Sequence, residues 1–107
     1  MKTHELVMTD ADFDTQAGKG VVLIDFWAPR CGPCRQQLPI LAKVAATMAG
    51  QAKVGKCNVD EEPKVAERFG VRQIPTLVVL KDTREVERFV GLQQEAALTA
   101  ALNKHLE

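Results

Sequence analysis

The chain has 107 residues, of which 46% are hydrophobic and 26% are charged, as expected of one globular domain spanning residues 1–107. Lys plus Arg and Asp plus Glu both number 14, so the zero net charge gives no electrostatic footprint for nucleic acid or an anionic membrane. No apolar run approaches the roughly 20 residues that span a bilayer, and the first residues lack the apolar stretch of a secretory signal. We therefore expect a cytoplasmic protein with neither a nucleic-acid nor a membrane partner.

The first predicted elements are a short strand at residues 6–8 and a helix that begins at Thr9. Asp12 lies three residues after Thr9, close to a capping box, and the glycines within residues 18–20 end the helix. Residues 21–27 form a nearly continuous apolar run rich in β-branched side chains. This run predicts a buried central strand.

The Pro and Gly content of residues 28–34 predicts a turn, and apolar residues at helical spacing then predict a helix over residues 34–48. Pro39 removes a backbone donor inside that helix and clashes with the preceding turn, which predicts a kink. Residues 52–59 are typical of a strand.

Asp60 is the predicted cap of a short helix that ends at Gly70. The remaining predicted elements are strands at residues 77–80 and 85–90, a polar hairpin turn between them, and a closing amphipathic helix at residues 92–106. The order is β-α-β-α-β-α-β-β-α, and this alternation predicts an α/β domain.

The candidate chemistry lies at Cys31 and Cys34, the ends of a Cys-Gly-Pro-Cys turn between the central strand and the second helix. Two intervening residues in a tight turn let both sulfurs approach disulfide-bonding distance. Cys31 then lies at the helix N-terminus, where unpaired N–H groups and the helix dipole favour a thiolate, the attacking species in disulfide exchange. Cys34 lies one turn further in, so we assign Cys31 as the nucleophile and Cys34 as the resolving thiol.

Three cysteines are an odd number and do not form a closed disulfide framework. The alternatives for the close pair are a zinc half-site and an inert pair. A structural zinc site takes about four protein ligands, and the remaining candidates, Cys57, His4 and His105, are not paired at ligand spacing. We therefore predict no metal. Cys57 is interpreted as a small buried hydrophobe, with a regulatory or metal-binding role as the alternative.

The Phe-Trp-Ala-Pro-Arg-Cys-Gly-Pro-Cys segment at residues 26–34 resembles the active-site signature of the thioredoxin family. The resemblance covers essentially the whole chain through a set of matching residues in the same order. These residues are Asp25, Pro39, Lys56, Ile74, Pro75, Thr76 and Gly91. The resemblance implies the α/β thioredoxin fold, in which helices flank both faces of a central mixed β-sheet.

By the same resemblance, the chain is a protein-disulfide reductase whose redox group is the Cys31–Cys34 pair, with no further cofactor. Its implied partners are protein disulfide substrates and a thioredoxin reductase as electron donor, and we expect a monomer. Gly32 and Pro33 between the cysteines resemble the reducing members of the family more than oxidising or isomerising relatives. The alternatives are a dedicated reductant of one partner and a binding module in which redox chemistry is incidental.

Asp25 is a carboxylate within an apolar strand, where desolvation raises its pKa. The resemblance implies that it lies behind Cys34 and assists the proton transfer of that thiol through water. The alternatives are a solvent-facing or structurally paired Asp. Lys56 matches a family lysine near that carboxylate, and its charge would lower the pKa of Asp25. The alternative for Lys56 is an exposed strand lysine.

The resemblance also implies a substrate groove. The family has a cis proline at the position of Pro75, facing the cysteines, and the backbone of Ile74 would then pair with an extended substrate segment. The residues expected around this groove are Trp27, Gly32, Pro33, Val90 and Gly91. Simple packing is the alternative for Trp27.

Arg30 occupies a position that is usually Trp in the family, and it places a positive charge beside Cys31. One hypothesis is that Arg30 favours the Cys31 thiolate and shifts partner choice toward acidic surfaces. The alternative is a solvated arginine with little effect. The Asp82-Thr83-Arg84 segment lacks the glycine common in the family turn, and Arg35 replaces a family lysine with the charge retained.

Overall fold

The computed structural model describes residues 4–106, and within them it contains one sheet of five strands. The strands are β1 (Leu6–Val7), β2 (Val21–Trp27), β3 (Lys53–Asn58), β4 (Thr76–Lys81) and β5 (Arg84–Val90). Their order across the sheet is β1-β3-β2-β4-β5. The β1, β3 and β2 strands are parallel, whereas β4 is antiparallel to both β2 and β5, so the predicted mixed sheet is confirmed.

Four helices in the described residues cover the two faces of this sheet. They are α1 (Phe13–Gln16), α2 (Gly32–Thr47), α3 (Pro63–Arg68) and α4 (Glu95–His105). One buried cluster packs Phe13 of α1 and Val65 of α3 against Ile24 of β2. The other packs Leu41 of α2 and Leu98 of α4 on the opposite face. Alternation along β2 supplies both clusters, since successive side chains of a strand point to opposite faces. None of the described helices is long and apolar enough to cross a membrane.

The functional edge of the sheet follows from its strand directions. Trp27 ends β2, and its register partner Asn58 ends the parallel strand β3. Thr76 begins the antiparallel strand β4 and pairs with Val90, the last residue of β5. Three strands therefore end, and one begins, at the same edge of the sheet. The loops beyond that edge carry the cysteines and the Pro75 segment.

The predicted order of the elements is confirmed, but the sequence places the starts of α1 and α4 several residues too early. The first helix begins at Phe13 and not at Thr9, although Thr9 and Asp12 form the reciprocal hydrogen bonds of a capping box in the turn before it. The Thr9 N–H donates to Asp12 Oδ1 at 2.8 Å, and the Asp12 N–H donates to Thr9 Oγ1 at 3.2 Å. The closing helix begins at Glu95, three residues later than predicted.

Asp60 is not the cap of α3, and this prediction was wrong. The carboxylate that satisfies the first N–H groups of α3 belongs to Asp10, which accepts from Val65 at 2.8 Å and from Lys64 at 3.2 Å. Glu62 completes the arrangement by accepting the Asp10 N–H at 2.8 Å. A cap supplied from 54 residues away carries no local sequence signal.

The β4–β5 hairpin turn has two central residues, Asp82 and Thr83, and both adopt positive φ angles of 48° and 76°. Two-residue hairpin loops favour this geometry because its twist matches that of the strands. Asp82 also joins the turn to Gly20, since its Oδ1 accepts the Gly20 N–H at 2.9 Å. The missing family glycine therefore leaves the turn type intact, but it places a β-branched side chain in the left-handed region, which is unfavourable.

We expect Thr83→Gly to raise the free energy of unfolding by about 1 kcal/mol, because glycine adopts positive φ without the Cβ clash. Urea denaturation of the oxidised protein measures this change. The control is Thr99→Gly within α4, which should lower stability, since glycine disfavours a helix interior. A Thr83→Gly protein less stable than the wild type would contradict the strain at this turn.

Candidate active site

Cys31 and Cys34 form a disulfide, with their Cα atoms 5.2 Å apart. Cys31 is the N-cap residue of α2, and Pro33 lies in the first turn, where its missing N–H costs no helical hydrogen bond. The Cys34 N–H donates to Cys31 Sγ at 3.2 Å. A backbone donor at a helix N-terminus thus points at the first sulfur, which favours negative charge there once the disulfide is reduced.

The two sulfurs differ in accessibility. Cys31 is partly exposed, whereas Cys34 is fully buried beneath the helix start. An incoming disulfide therefore meets Cys31 first. This asymmetry agrees with Cys31 as the attacking thiol and Cys34 as the resolving thiol.

The Pro75 segment lies directly against the disulfide. The Ile74–Pro75 peptide bond is cis, as the family resemblance implied, and the Ile74 carbonyl oxygen lies 3.7 Å from Cys31 Sγ. The Gly91 N–H donates to the Pro75 carbonyl at 2.8 Å, and Gly91 has a φ of 96°. A positive φ of this size is accessible to glycine, so this residue type permits the backbone turn at which the Gly91 N–H meets the Pro75 carbonyl.

Asp25 is fully buried, and neither of its carboxylate oxygens has a hydrogen-bond partner among residues 4–106. Asp25 lies two residues after Leu23 on β2, so the two side chains point to the same face of the sheet. Leu23 packs in the cluster that contains Leu41 of α2. The carboxylate therefore faces the layer of the cysteine-bearing helix. Burial raises the pKa of Asp25 to about 7, and the nearby charge of Lys56 opposes this effect.

Lys56 is the β3 residue in register with Asp25, and it is partly buried. Its Nζ lies 5.6 Å from the centroid of the Trp27 ring, within the range of a cation–π contact. The structure thus brings together three residues that the sequence singled out. Lys56 is therefore not simply an exposed strand lysine.

Cys57 points to the opposite face of β3 and is fully buried in the cluster that contains Phe26. Burial raises the pKa of its thiol to about 12, and the negative charges of Glu62, Asp10 and Asp12 add to this effect. A thiol held neutral in apolar surroundings is unreactive. Cys57 is therefore a small buried hydrophobe, as its strand position indicated.

Arg30 does not project freely into solvent. Its Nε and one terminal nitrogen each donate to an Asp60 carboxylate oxygen at 3.1 Å, a bidentate ion pair between two exposed side chains. Asp60 holds the pKa of Arg30 above its ordinary value by this hydrogen bonding and by its charge. The carboxylate assigned by the sequence to a helix cap thus neutralises the charge beside Cys31. Arg35, in the first turn of α2, instead donates to the Pro29 carbonyl of the preceding loop at 2.9 Å.

Sequence reasoning missed Gln37. Its side chain is fully buried, although it is polar, and it bonds to both main-chain groups of Gln93. The signal was present: Cys34, Gln37 and Leu41 follow one another at spacings of three and four residues along the buried stripe of α2. A polar residue in such a stripe must find partners, and here they lie in the loop after β5.

The remaining predicted groove residues lie at the same edge of the sheet as the cysteine pair. Val90 is 54% exposed, a large value for an apolar side chain. Pro33 is exposed, and Trp27 and Gly32 are partly exposed. Within residues 4–106, no three His, Cys, Asp or Glu side chains cluster in a way that would hold a metal ion.

The sequence profile of the thioredoxin family matches residues 4–104. This chain belongs to the thioredoxin family. It is 46% identical over 99 residues to the thioredoxins of Staphylococcus aureus strains COL and MW2, a match that covers 92% of this chain and 95% of each relative. A mutant thioredoxin from Halobacterium salinarum NRC-1 superposes with a TM-score of 0.88 at 36% identity, covering all of this chain and 96% of that one.

Membership of the thioredoxin family and the Cys31–Cys34 disulfide together establish a thiol–disulfide oxidoreductase with protein-disulfide reductase activity. The superposition on the Halobacterium salinarum thioredoxin likewise confirms the thioredoxin fold. Redox chemistry in this family resides in the cysteine pair itself.

The buried carboxylate makes the stability of this thioredoxin-family chain depend on pH. The pKa of Asp25 is about 7 when folded, against an ordinary value of 3.8. Between these values the folded state binds more protons than the unfolded state, so the free energy of unfolding falls as the pH rises. One pKa unit corresponds to about 1.4 kcal/mol, so the total loss is about 4 kcal/mol by pH 8.

Asp25→Asn should therefore resemble the wild type at pH 4 and be several kcal/mol more stable at pH 8, as measured by urea denaturation of the oxidised protein. The control is Asp14→Asn, at an exposed carboxylate paired with Arg68, which should leave the fall between these pH values unchanged. Identical pH dependence in the wild type and Asp25→Asn would contradict the raised pKa.

Proposed function

We propose that the chain reduces protein disulfides in two exchange steps at Cys31 and Cys34. The Cys31 thiolate attacks a substrate disulfide, forms a mixed disulfide and releases one substrate thiolate. Cys34 then gives up its proton and attacks Cys31, so the second substrate thiol leaves and the Cys31–Cys34 disulfide forms. Two electrons pass to the substrate, and a thioredoxin reductase returns them. The observation that carries this order is the Cys34 N–H aimed at the accessible Cys31 sulfur.

Asp25 is proposed to accept the Cys34 proton during the second step, through water. A pKa of about 7 allows this carboxylate both to take up and to release a proton near neutral pH. Its oxygens have no competing hydrogen-bond partner among the described residues. Lys56 is proposed to tune Asp25, because its charge opposes the effect of burial on the pKa of the carboxyl group.

The substrate segment is proposed to add as an extended strand beside Ile74, whose carbonyl oxygen lies 3.7 Å from Cys31 Sγ. Main-chain pairing at this position would carry the substrate sulfur to Cys31 without requiring a particular sequence. The side chains and backbone proposed to contact the substrate are those of Trp27, Arg30, Gly32, Pro33, Ile74, Pro75, Val90 and Gly91.

For the cellular setting we propose a cytoplasmic monomer that needs no cofactor beyond its disulfide and has no nucleic-acid or membrane partner. The balanced charge supports this proposal, since Lys plus Arg and Asp plus Glu both number 14. The family resemblance supports protein disulfides and a thioredoxin reductase as the partners.

The cysteine roles predict opposite outcomes for two serine variants. Cys34→Ser should accumulate a mixed disulfide with insulin, because Cys31 attacks but nothing resolves the bond. Cys31→Ser should form none and show no reductase activity. Mass spectrometry under non-reducing conditions detects the adduct.

Cys57→Ser is the matched control for these two variants, and it should retain wild-type activity, because Cys57 is buried on the other face of the sheet. An adduct formed by Cys31→Ser in place of Cys34→Ser would reverse the assigned roles. Equal loss of activity in Cys57→Ser would place chemistry at a residue that this mechanism does not use.

Arg30 is proposed to favour substrates with an acidic residue next to their cysteine, and Asp60 is proposed to limit that preference. The bidentate pair already satisfies the guanidinium, so a substrate carboxylate has to compete with Asp60 for it. The two side chains are 66% and 47% exposed, so solvent screens the interaction and the expected effect is modest.

Asp60→Asn should therefore raise the rate ratio for a peptide disulfide flanked by Glu over one flanked by Gln by about two- to fivefold, the range of an exposed charge pair. Arg30→Gln should remove the preference altogether. Both effects should shrink as salt is added, because exposed charges are screened. Arg84→Gln, in β5 and remote from the cysteines, is the control for Arg30→Gln, because it removes the same charge. A ratio unaffected by Asp60→Asn would contradict competition at Arg30.

A further inference from the structure

Gln37 ties the cysteine-bearing helix to the loop that follows β5. Its Nε2 donates to the Gln93 carbonyl at 2.9 Å, and its Oε1 accepts the Gln93 N–H at 2.8 Å. One fully buried side chain therefore satisfies both main-chain groups of a single loop residue. Gln37 lies one helical turn after Cys34, so the connection begins next to the redox pair.

From Gln93 the connections continue to the Pro75 segment. Gln93 Nε2 donates to the Gly91 carbonyl at 3.4 Å, and the Gly91 N–H donates to the Pro75 carbonyl at 2.8 Å. The loop is therefore held on one side by α2 and on the other by the residue that follows Ile74. Val90 and Leu92, which flank Gly91, are two of the few large apolar side chains with substantial exposure, at 54% and 36%.

We propose that Gln37 is a positioning residue that fixes the loop of residues 91–94 and thereby presets the groove for protein disulfides. The proposal rests on the proposed substrate groove and adds to it the residue that holds one rim in place. Gln37 contacts neither sulfur through any hydrogen bond in the structure, so it acts on docking and not on the exchange chemistry.

The expected consequence follows from the population of the docking-competent loop. Without the two hydrogen bonds, residues 91–94 sample other conformations, and the apparent dissociation constant rises in proportion to the competent fraction that is lost. Hydrogen bonds of this kind contribute enough to change such a population by about three- to tenfold. A small disulfide does not span the groove, so its reduction should not respond.

The test is single-turnover oxidation of the pre-reduced protein, followed by the fluorescence of Trp27, the only tryptophan in the chain. Gln37→Met removes both hydrogen bonds while keeping the length of the side chain. We expect about a three- to tenfold higher half-saturation concentration for insulin, with an unchanged maximal rate. The rate with oxidised glutathione and the reduction potential should match the wild type.

Two control variants distinguish the paired hydrogen bonds between Gln37 and Gln93, which we call the clamp, from the neighbouring side chains. Gln36→Met makes the same change one residue earlier, at an exposed position, and should behave as the wild type. Gln93→Ala keeps the main-chain groups that Gln37 binds, so it should shift insulin half-saturation less than Gln37→Met does. A Gln37→Met protein with unchanged insulin half-saturation would overturn the proposal, and so would an equal loss of rate with oxidised glutathione. If the wild type reduced neither insulin nor oxidised glutathione, the proposed function itself would be refuted.

Amide hydrogen exchange on the unaltered protein tests the clamp without any variant. The Gln93 N–H donates to a buried oxygen, so it should exchange much more slowly than the neighbouring Gln94 N–H. Protection of Gln93 should persist in the mixed disulfide with insulin. Exchange of Gln93 as fast as that of Gln94 would show that the loop is not held, and it would overturn the proposal even where Gln37→Met does not fold.

Discussion

The chemistry of this protein depends on the hydrogen bond from the Cys34 N–H to Cys31 Sγ, and that bond exists because α2 begins at Gly32. A helix start supplies unpaired donors and a favourable dipole for negative charge. The sheet then decides what meets this helix start. Because β2 is parallel to β3 and antiparallel to β4, the loop that holds Ile74 returns to the same edge and lies against the first sulfur. Nucleophile and docking backbone are thus placed together by strand direction.

Asp25 is the costly part of the arrangement. A buried carboxylate without hydrogen-bond partners destabilises the folded state whenever it is ionised, and the charge of Lys56 offsets only part of that penalty. The rest of β2 is apolar and packs on both faces, so the fold tolerates one such residue. Stability is given up at the position where a group that titrates near pH 7 is useful to a proton transfer.

The sequence predicted the element order and the cysteine pair, because these follow from periodicity, turn residues and a dense local motif. The mixed sheet was implied by the resemblance to the thioredoxin family. The sequence misplaced the features that arise from contacts distant in the chain. Asp60 is of a residue type that often caps helices and precedes α3 in the chain. However, Asp10 caps α3, and Asp60 binds Arg30. For Gln37, helical spacing marked a buried polar position, but its partner Gln93, 56 residues away, has no local signal. Local patterns carry propensity, whereas the pairing of polar groups is decided only when the chain is folded.

The most direct test of this account is the alkylation of the reduced protein by iodoacetamide at pH 7, with each modified cysteine identified by mass spectrometry. The account predicts that Cys31 reacts first and faster than free cysteine, because the helix start favours its thiolate and the residue is partly exposed. Cys34 and Cys57 should be modified only slowly, since both are fully buried. Preferential labelling of Cys34, or labelling of Cys31 no faster than free cysteine, would contradict the claim that the start of α2 creates the nucleophile.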